Sequence, residues 1–238
     1  MQTPMGTFET ALLAELRLGL PPLFYYRIVE IKDDWGFVLK LHSFFEGTVT
    51  AVIEDKLHTR KNVRETLIPR DSFVSRVYLA DRLKLLEPDF KNFLLELNRL
   101  RNDITHNIRY IDFSLRRYVD NLSDAQFRKT AACLGAGFKN LPFAKCPEFA
   151  SAFPRIGKDR HINTVREFFW KLSPRACLWN SGVWTLDLLS LHWHFEEEAG
   201  SIRKDTELEA KLQDLLLDPA VLKYRRKRVL RRAVVRGT

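Results

Sequence analysis

The segment Leu97 to Asn107 (LNRLRNDITHN) carries an arginine, an amide and a histidine at spacings that suit proton transfer beside a phosphate. Histidine titrates near neutrality and can take or give a proton. Arginine presents a planar fork that grips phosphate and stabilises charge developing there. Arg101, Asn102 and His106 are therefore the catalytic candidates. On a helix Asn102 stands one turn before His106, where an amide can fix the imidazole tautomer. Arg101 and His106 lie about 140° apart around the axis, so they flank one polar face rather than stack on it. Metal-independent RNA cleavage asks for such groups: a base for the 2′-hydroxyl, an acid for the leaving oxygen, a cation for the phosphorane. The competing reading is a solvated polar face, or one salt-bridged through Asp103 or Glu96.

A second candidate is the C-terminal segment. Lys223, Arg225, Arg226, Lys227, Arg228, Arg231, Arg232 and Arg236 are eight cations that follow the last acid, Asp218. They belong to 39 basic residues set against 30 acidic ones, so residues 1 to 222 are nearly neutral and the net charge of +9 is a property of the tail. Such a run binds nucleic-acid phosphates in a salt-sensitive way, and suits anionic lipid as well. A solvated tail is the competing reading; if the segment binds RNA or another nucleic acid, Lys223, Arg225, Arg226, Lys227, Arg228, Arg231 and Arg232 are the contacts.

Elsewhere the side chains offer less. His192 and His194 fall about 200° apart on a helix and cannot share a metal. His194 and Glu198 share a face if the helix continues that far, but two ligands make no site. Trp170, Trp179, Trp184 and Trp193 read as an aromatic cluster at the edge of the core. His42, His58 and His161 stand alone and receive no role. Cys133, Cys146 and Cys177 contain no CxxC pair and read as reduced thiols rather than a zinc site or disulfide framework. The chain has no Walker loop, GxGxxG, GxSxG or HExxH motif.

The elements that must position Arg101 and His106 are helices. Phe93, Leu97, Leu100, Ile104, Ile108 and Ile111 step by three or four residues and make one apolar stripe, with Asn98, Arg101, Asn102, Thr105 and Arg109 opposite. Before this helix, periodicity predicts helices over Trp35 to Leu57 and Phe73 to Leu86, the latter stopped ahead of Pro88. Leu23 to Ile31 (LFYYRIVEI) suits either a short strand or an aromatic-rich helix. Beyond Asn121, Ser123 with Gln126 forms a capping box for a helix to about Leu134. Further helices are expected over Asn163 to Leu172, Gly182 to Glu198 and Thr206 to Leu217.

Arg101, the polar Asn102 and His106, set in LNRLRN after the leucine-rich helix Ser72 to Leu86, resemble the HEPN superfamily. Within it they look most like the mannitol-repressor-like branch, over roughly residues 35 to 115. The resemblance implies an all-α fold with an HEPN-like helical bundle over 1–120; favouring RNA as the tail's partner follows from it too, while the periodicity and charge beyond it give an additional C-terminal helical region over 121–222, packed on the first, and the basic tail 223–238. It implies a homodimer whose facing helices share a cleft, and an endoribonuclease of toxin or defence type that uses no metal or cofactor. A cognate antitoxin or regulatory partner goes with that reading. The alternative within the same branch is a non-catalytic regulator of transcription, for which the polar helix face is a binding or dimer surface. Ile108 stands where one toxin-type pattern places a tyrosine two residues after the histidine.

With 238 residues, 45% hydrophobic and 12% aromatic, the chain can bury a sizeable core and is excluded from the disordered and low-complexity classes. No apolar run reaches the length of a membrane span, and Glu9 and Glu15 interrupt the N-terminal apolar stretch before it resembles a secretory leader. A cytoplasmic protein is expected.

Overall fold

The computed structural model describes residues 7–57, 72–106, 112–146, 151, 162–194, 196–198, 201–203 and 206–223. The fold is all-α. In chain order the helices are α1 (Thr7–Arg17), α2 (Phe24–Ile28), α3 (Asp34–Leu57), α4 (Phe73–Arg82), α5 (Pro88–His106), α6 (Leu115–Asp120), α7 (Asp124–Leu134), α8 (Val165–Leu172), α9 (Pro174–His194) and α10 (Thr206–Leu217). Extended pairing among the described residues is confined to a hairpin, Glu196–Glu198 against Ser201–Arg203, and one bridge between Pro142 and Thr164. No described helix is long and apolar enough to cross a membrane.

Helix α9 is the axle of the fold. Its buried residues (Cys177, Leu178, Ser181, Val183, Thr185, Leu186, Leu189 and Ser190) point in most directions around its circumference, the pattern of a helix surrounded by others. It packs against α1, α3, α5, α6, α7 and α8. Gly182 permits the closest of these approaches: a Cβ there would stand 2.5 Å from the Tyr25 hydroxyl and 3.0 Å from the Phe45 ring. One hydrophobic core runs from Ala11 to Val221, so both sides of position 120 contribute to it.

Several expected boundaries move, each for a local reason. Leu23 to Ile31 becomes the short helix α2, which buries Tyr25, Tyr26 and Ile28. The helix begun at Phe73 stops at Arg82 rather than Leu86, because Lys84 adopts a left-handed backbone (φ 61°). The Lys84 N–H then donates to Asp81 and the Leu85 N–H to Ala80, which closes the turn. The helix expected from Gly182 begins at Pro174, a residue suited to a first helical turn, and ends at His194. Glu198 therefore sits in a strand and shares no helix face with His194. The tryptophan cluster also dissolves. Trp170 is buried and Trp179 packs on Tyr25 and Tyr26, but Trp184 is 51% exposed, and the Trp193 side chain lies outside the described residues. The basic connection 58–71 lies outside them as well.

The capping box at Ser123 and Gln126 forms as expected, and Thr164 with Glu167 makes a second at the start of α8. The carbonyl end of α7 is closed from two other helices. Arg166 donates to Ala132 O (3.0 Å) and Phe138 O (2.8 Å) and pairs with Asp89, while the Ser181 hydroxyl donates to Leu134 O (2.8 Å).

Candidate functional site

Helix α5 carries the candidate residues Arg101, Asn102 and His106 and is held by its apolar face. Phe93, Leu97, Leu100 and Ile104 are buried, as the periodicity predicts, with Phe90 and Leu94 buried beside them, and leave Asn98, Arg101, Asn102 and Thr105 half-buried on the polar side. That polar side does not face water alone; it forms a seam with α3. The two helices run antiparallel, as three contacts show: Phe45 against Phe93 (ring centroids 5.7 Å apart), His42 against Asn98, and Trp35 against the backbone of Ile104. Trp35, Leu39, His42 and Glu46 step by 4, 3 and 4 residues and so fall on one stripe of α3. Arg101 and Asn102 lie along the seam between the His42 and Trp35 contacts.

The structure brings Arg101 and Asn102 together: the guanidinium donates from Nη1 to the Asn102 carboxamide oxygen at 2.8 Å. Sequence spacing pairs that amide with His106, whereas its oxygen is engaged by Arg101. Thr105 turns its hydroxyl back onto Arg101 O (2.9 Å), satisfying a backbone carbonyl near the helix end. His106 is the last residue of α5 and is exposed. The arrangement therefore holds a half-buried guanidinium steadied by an amide, with an accessible imidazole one and a half turns on.

His42, which the sequence leaves without a role, is 3% exposed and central to this seam. Its ring stands edge-on to Phe73 at 4.8 Å, and its Nε2–H donates to Asn98 Oδ1 at 3.0 Å. Burial pushes the imidazole below its ordinary range. The Asn98 hydrogen bond and the Glu46 charge oppose that shift, while Arg101 and Arg76 reinforce it. A neutral His42 follows, with Nδ1 as an acceptor 3.9 Å from Glu46 Oε2. Glu46 is instead paired with Arg76 of α4, so α3, α4 and α5 meet around one polar cluster. Such a cluster fixes how α5 is rotated, since slipping it would leave buried polar atoms unsatisfied.

Of the tail residues, Lys223 is exposed at the end of the described chain, and Arg225, Arg226, Lys227, Arg228, Arg231, Arg232 and Arg236 lie outside the described residues, as do Ile108 and Arg109. Among the described residues no group of three or more His, Cys, Asp or Glu side chains converges as a metal site would require. Cys146 and Cys177 are buried free thiols and Cys133 is partly so; burial pushes the Cys133 and Cys177 thiols up, well away from reactivity. The residues missed from sequence are Trp35, His42, Glu46, Arg76 and Asn98. The 4-3-4 stripe on α3 is the signal that marks three of them. No protein-family model, no curated protein and no solved structure matches this chain.

Proposed function

We propose that this chain is an HEPN-like, metal-independent endoribonuclease of toxin or defence type, acting on RNA through Arg101, Asn102 and His106 in a cleft shared by two copies. The observation that supports it most is the exposed imidazole of His106 at the end of α5, five residues from a guanidinium that Asn102 already steadies. In that reading Arg101 grips the scissile phosphate and stabilises the phosphorane. A His106 imidazole withdraws the 2′-hydroxyl proton, the 2′-oxygen attacks phosphorus, and the 5′-oxygen leaves with a proton from a second acid. The products are a 2′,3′-cyclic phosphate and a 5′-hydroxyl. His106 of the second copy supplies that second acid, which is why the site needs a dimer. The basic tail holds RNA near the cleft, and a cognate antitoxin or regulatory partner restrains it in the cytoplasm.

A non-catalytic regulator of the mannitol-repressor kind is the second reading, favoured by the half-covered polar side of α5, where Asn98 is engaged by His42. The two separate on one experiment: RNA incubated with the purified protein in EDTA, wild type beside His106→Ala, with end-group analysis. Cleavage leaving 2′,3′-cyclic phosphates and falling by about 10²–10⁴-fold in the variant is the expected result. No cleavage by either protein, both still dimeric, overturns the nuclease reading in favour of the regulator.

A further inference from the structure

Trp35 lies in the first turn of α3, where that helix meets the last turns of α5, and keeps 41% of its surface in water. Val29, Tyr78, Leu141, Trp184 and Leu217 are also exposed large apolar side chains, and single ones call for no explanation. Trp35 differs in being aimed. Its indole N–H donates to the Ile104 carbonyl at 3.4 Å, one of the last carbonyls of α5, between Arg101 and His106 in sequence. The hydrogen bond fastens the edge of the ring to the helix that carries the candidate site and leaves ring surface in solvent.

The backbone beneath it is equally fixed. Asp33 accepts from the Gly36 N–H across the first turn of α3. The neighbouring Asp34 accepts from Leu115 N–H at 2.8 Å and from Arg175 Nη1 at 3.3 Å, tying the start of α3 to α6 and α9. An aromatic plane anchored at backbone and edge, on the last turns of the helix that carries a guanidinium and an exposed imidazole, is a combination by which proteins hold unpaired bases: the ring stacks on the base while the cation takes the phosphate.

We infer that Trp35 is the stacking platform for a nucleobase adjacent to the phosphate gripped by Arg101, so that the substrate is single-stranded RNA with at least one splayed base. This rests on the nuclease reading above and adds to it the conformation of the substrate. A duplex keeps its bases stacked on each other and offers none to the ring.

The test uses the full chain as wild type, Trp35→Ala and Trp35→Phe, checked for folding by circular dichroism and melting. The probe is a 2′-O-methylated oligouridylate, which cannot be cleaved through its 2′-oxygen, followed by fluorescence anisotropy. Cleavage of the unmodified oligomer is measured in parallel. Trp35→Ala is expected to weaken binding and raise KM by roughly tenfold with kcat within about threefold of wild type, the loss typical of removing one stacked base. Trp35→Phe keeps an aromatic face but loses the indole N–H that aims it, and is expected to bind between Trp35→Ala and wild type. Binding by Trp35→Ala equal to wild type, while His106→Ala abolishes cleavage, overturns the stacking platform and leaves the nuclease standing. A loss shared equally by Trp35→Phe also overturns it, because the helix cap rather than the ring then matters. A wild-type protein that binds the probe but cleaves nothing overturns the nuclease reading, and one that neither binds nor cleaves overturns both.

Discussion

Glu15 lies fully buried on α1, with its carboxylate oxygens accepting from Leu23 N–H at 2.7 Å and Tyr25 N–H at 2.8 Å. Those bonds hold Leu23 in a left-handed backbone (φ 67°) that a leucine adopts only when its surroundings impose it. Burial pushes the acid up to about 7 from the usual carboxylate range, against the lowering effect of the backbone N–H groups and Arg27. Because the folded value lies above the unfolded one, the folded state binds more protons. The stabilisation is complete below about pH 4.5 and is lost as pH rises through 7, about 3 kcal/mol in all. Glu15→Gln should therefore remove much of the pH dependence of unfolding between pH 5 and 8; a urea-denaturation series in which both proteins keep the same slope would refute this. The sequence marks Glu15 only as a polar interruption of an apolar stretch, because burial of a lone acid depends on a loop ten residues away. The helix that carries Arg101, Asn102 and His106 is legible for the opposite reason, since its apolar stripe needs nothing beyond the helix itself. His42 and Trp35 gain their meaning only when α3 docks on α5.

Helices with one buried face and a recognisable start were readable as elements. Ser123 with Gln126 marks α7, and the stripe from Phe93 to Ile104 marks α5. Helix α9 was misplaced because a helix buried nearly all round has no periodic contrast to read. Its acidic continuation, Glu196 to Glu198, has the composition of a helix but is drawn into pairing with Ser201 to Arg203, a partner no local pattern reveals. The end of α4 was overrun because lysine rarely closes a helix in the left-handed region. That misfit has a measurable consequence. Lys84→Gly relieves the backbone strain at φ 61° while the closing bonds from Lys84 N–H and Leu85 N–H remain available to glycine. The variant should be more stable by about 0.5–1 kcal/mol, read as a higher melting temperature. A lower melting temperature would show that the lysine side chain contributes more there than the backbone loses.

Charge and connectivity act on the molecule as a whole. A nearly neutral body with eight cations gathered after Asp218 concentrates long-range attraction for polyanions at one end of the chain. If that segment contributes to RNA binding, affinity should fall steeply between 50 and 200 mM salt, by about tenfold or more, and a chain lacking residues 223–238 should show a much shallower dependence. A flat response in the intact chain removes the tail from RNA recognition. The connectivity of α1 has a different outcome. Its buried residues Ala11, Leu12, Leu13 and Ala14 encircle the helix, which packs against α9 and α10, much later in the sequence. At ordinary synthesis rates of about 5–20 residues per second, those side chains wait on the order of ten to thirty seconds for α9 to leave the ribosome. Helix α1 is thus made well before the helices that cover it, and for that interval the nascent chain displays the kind of surface that holdase chaperones bind, which makes the yield of folded protein sensitive to how fast it is translated.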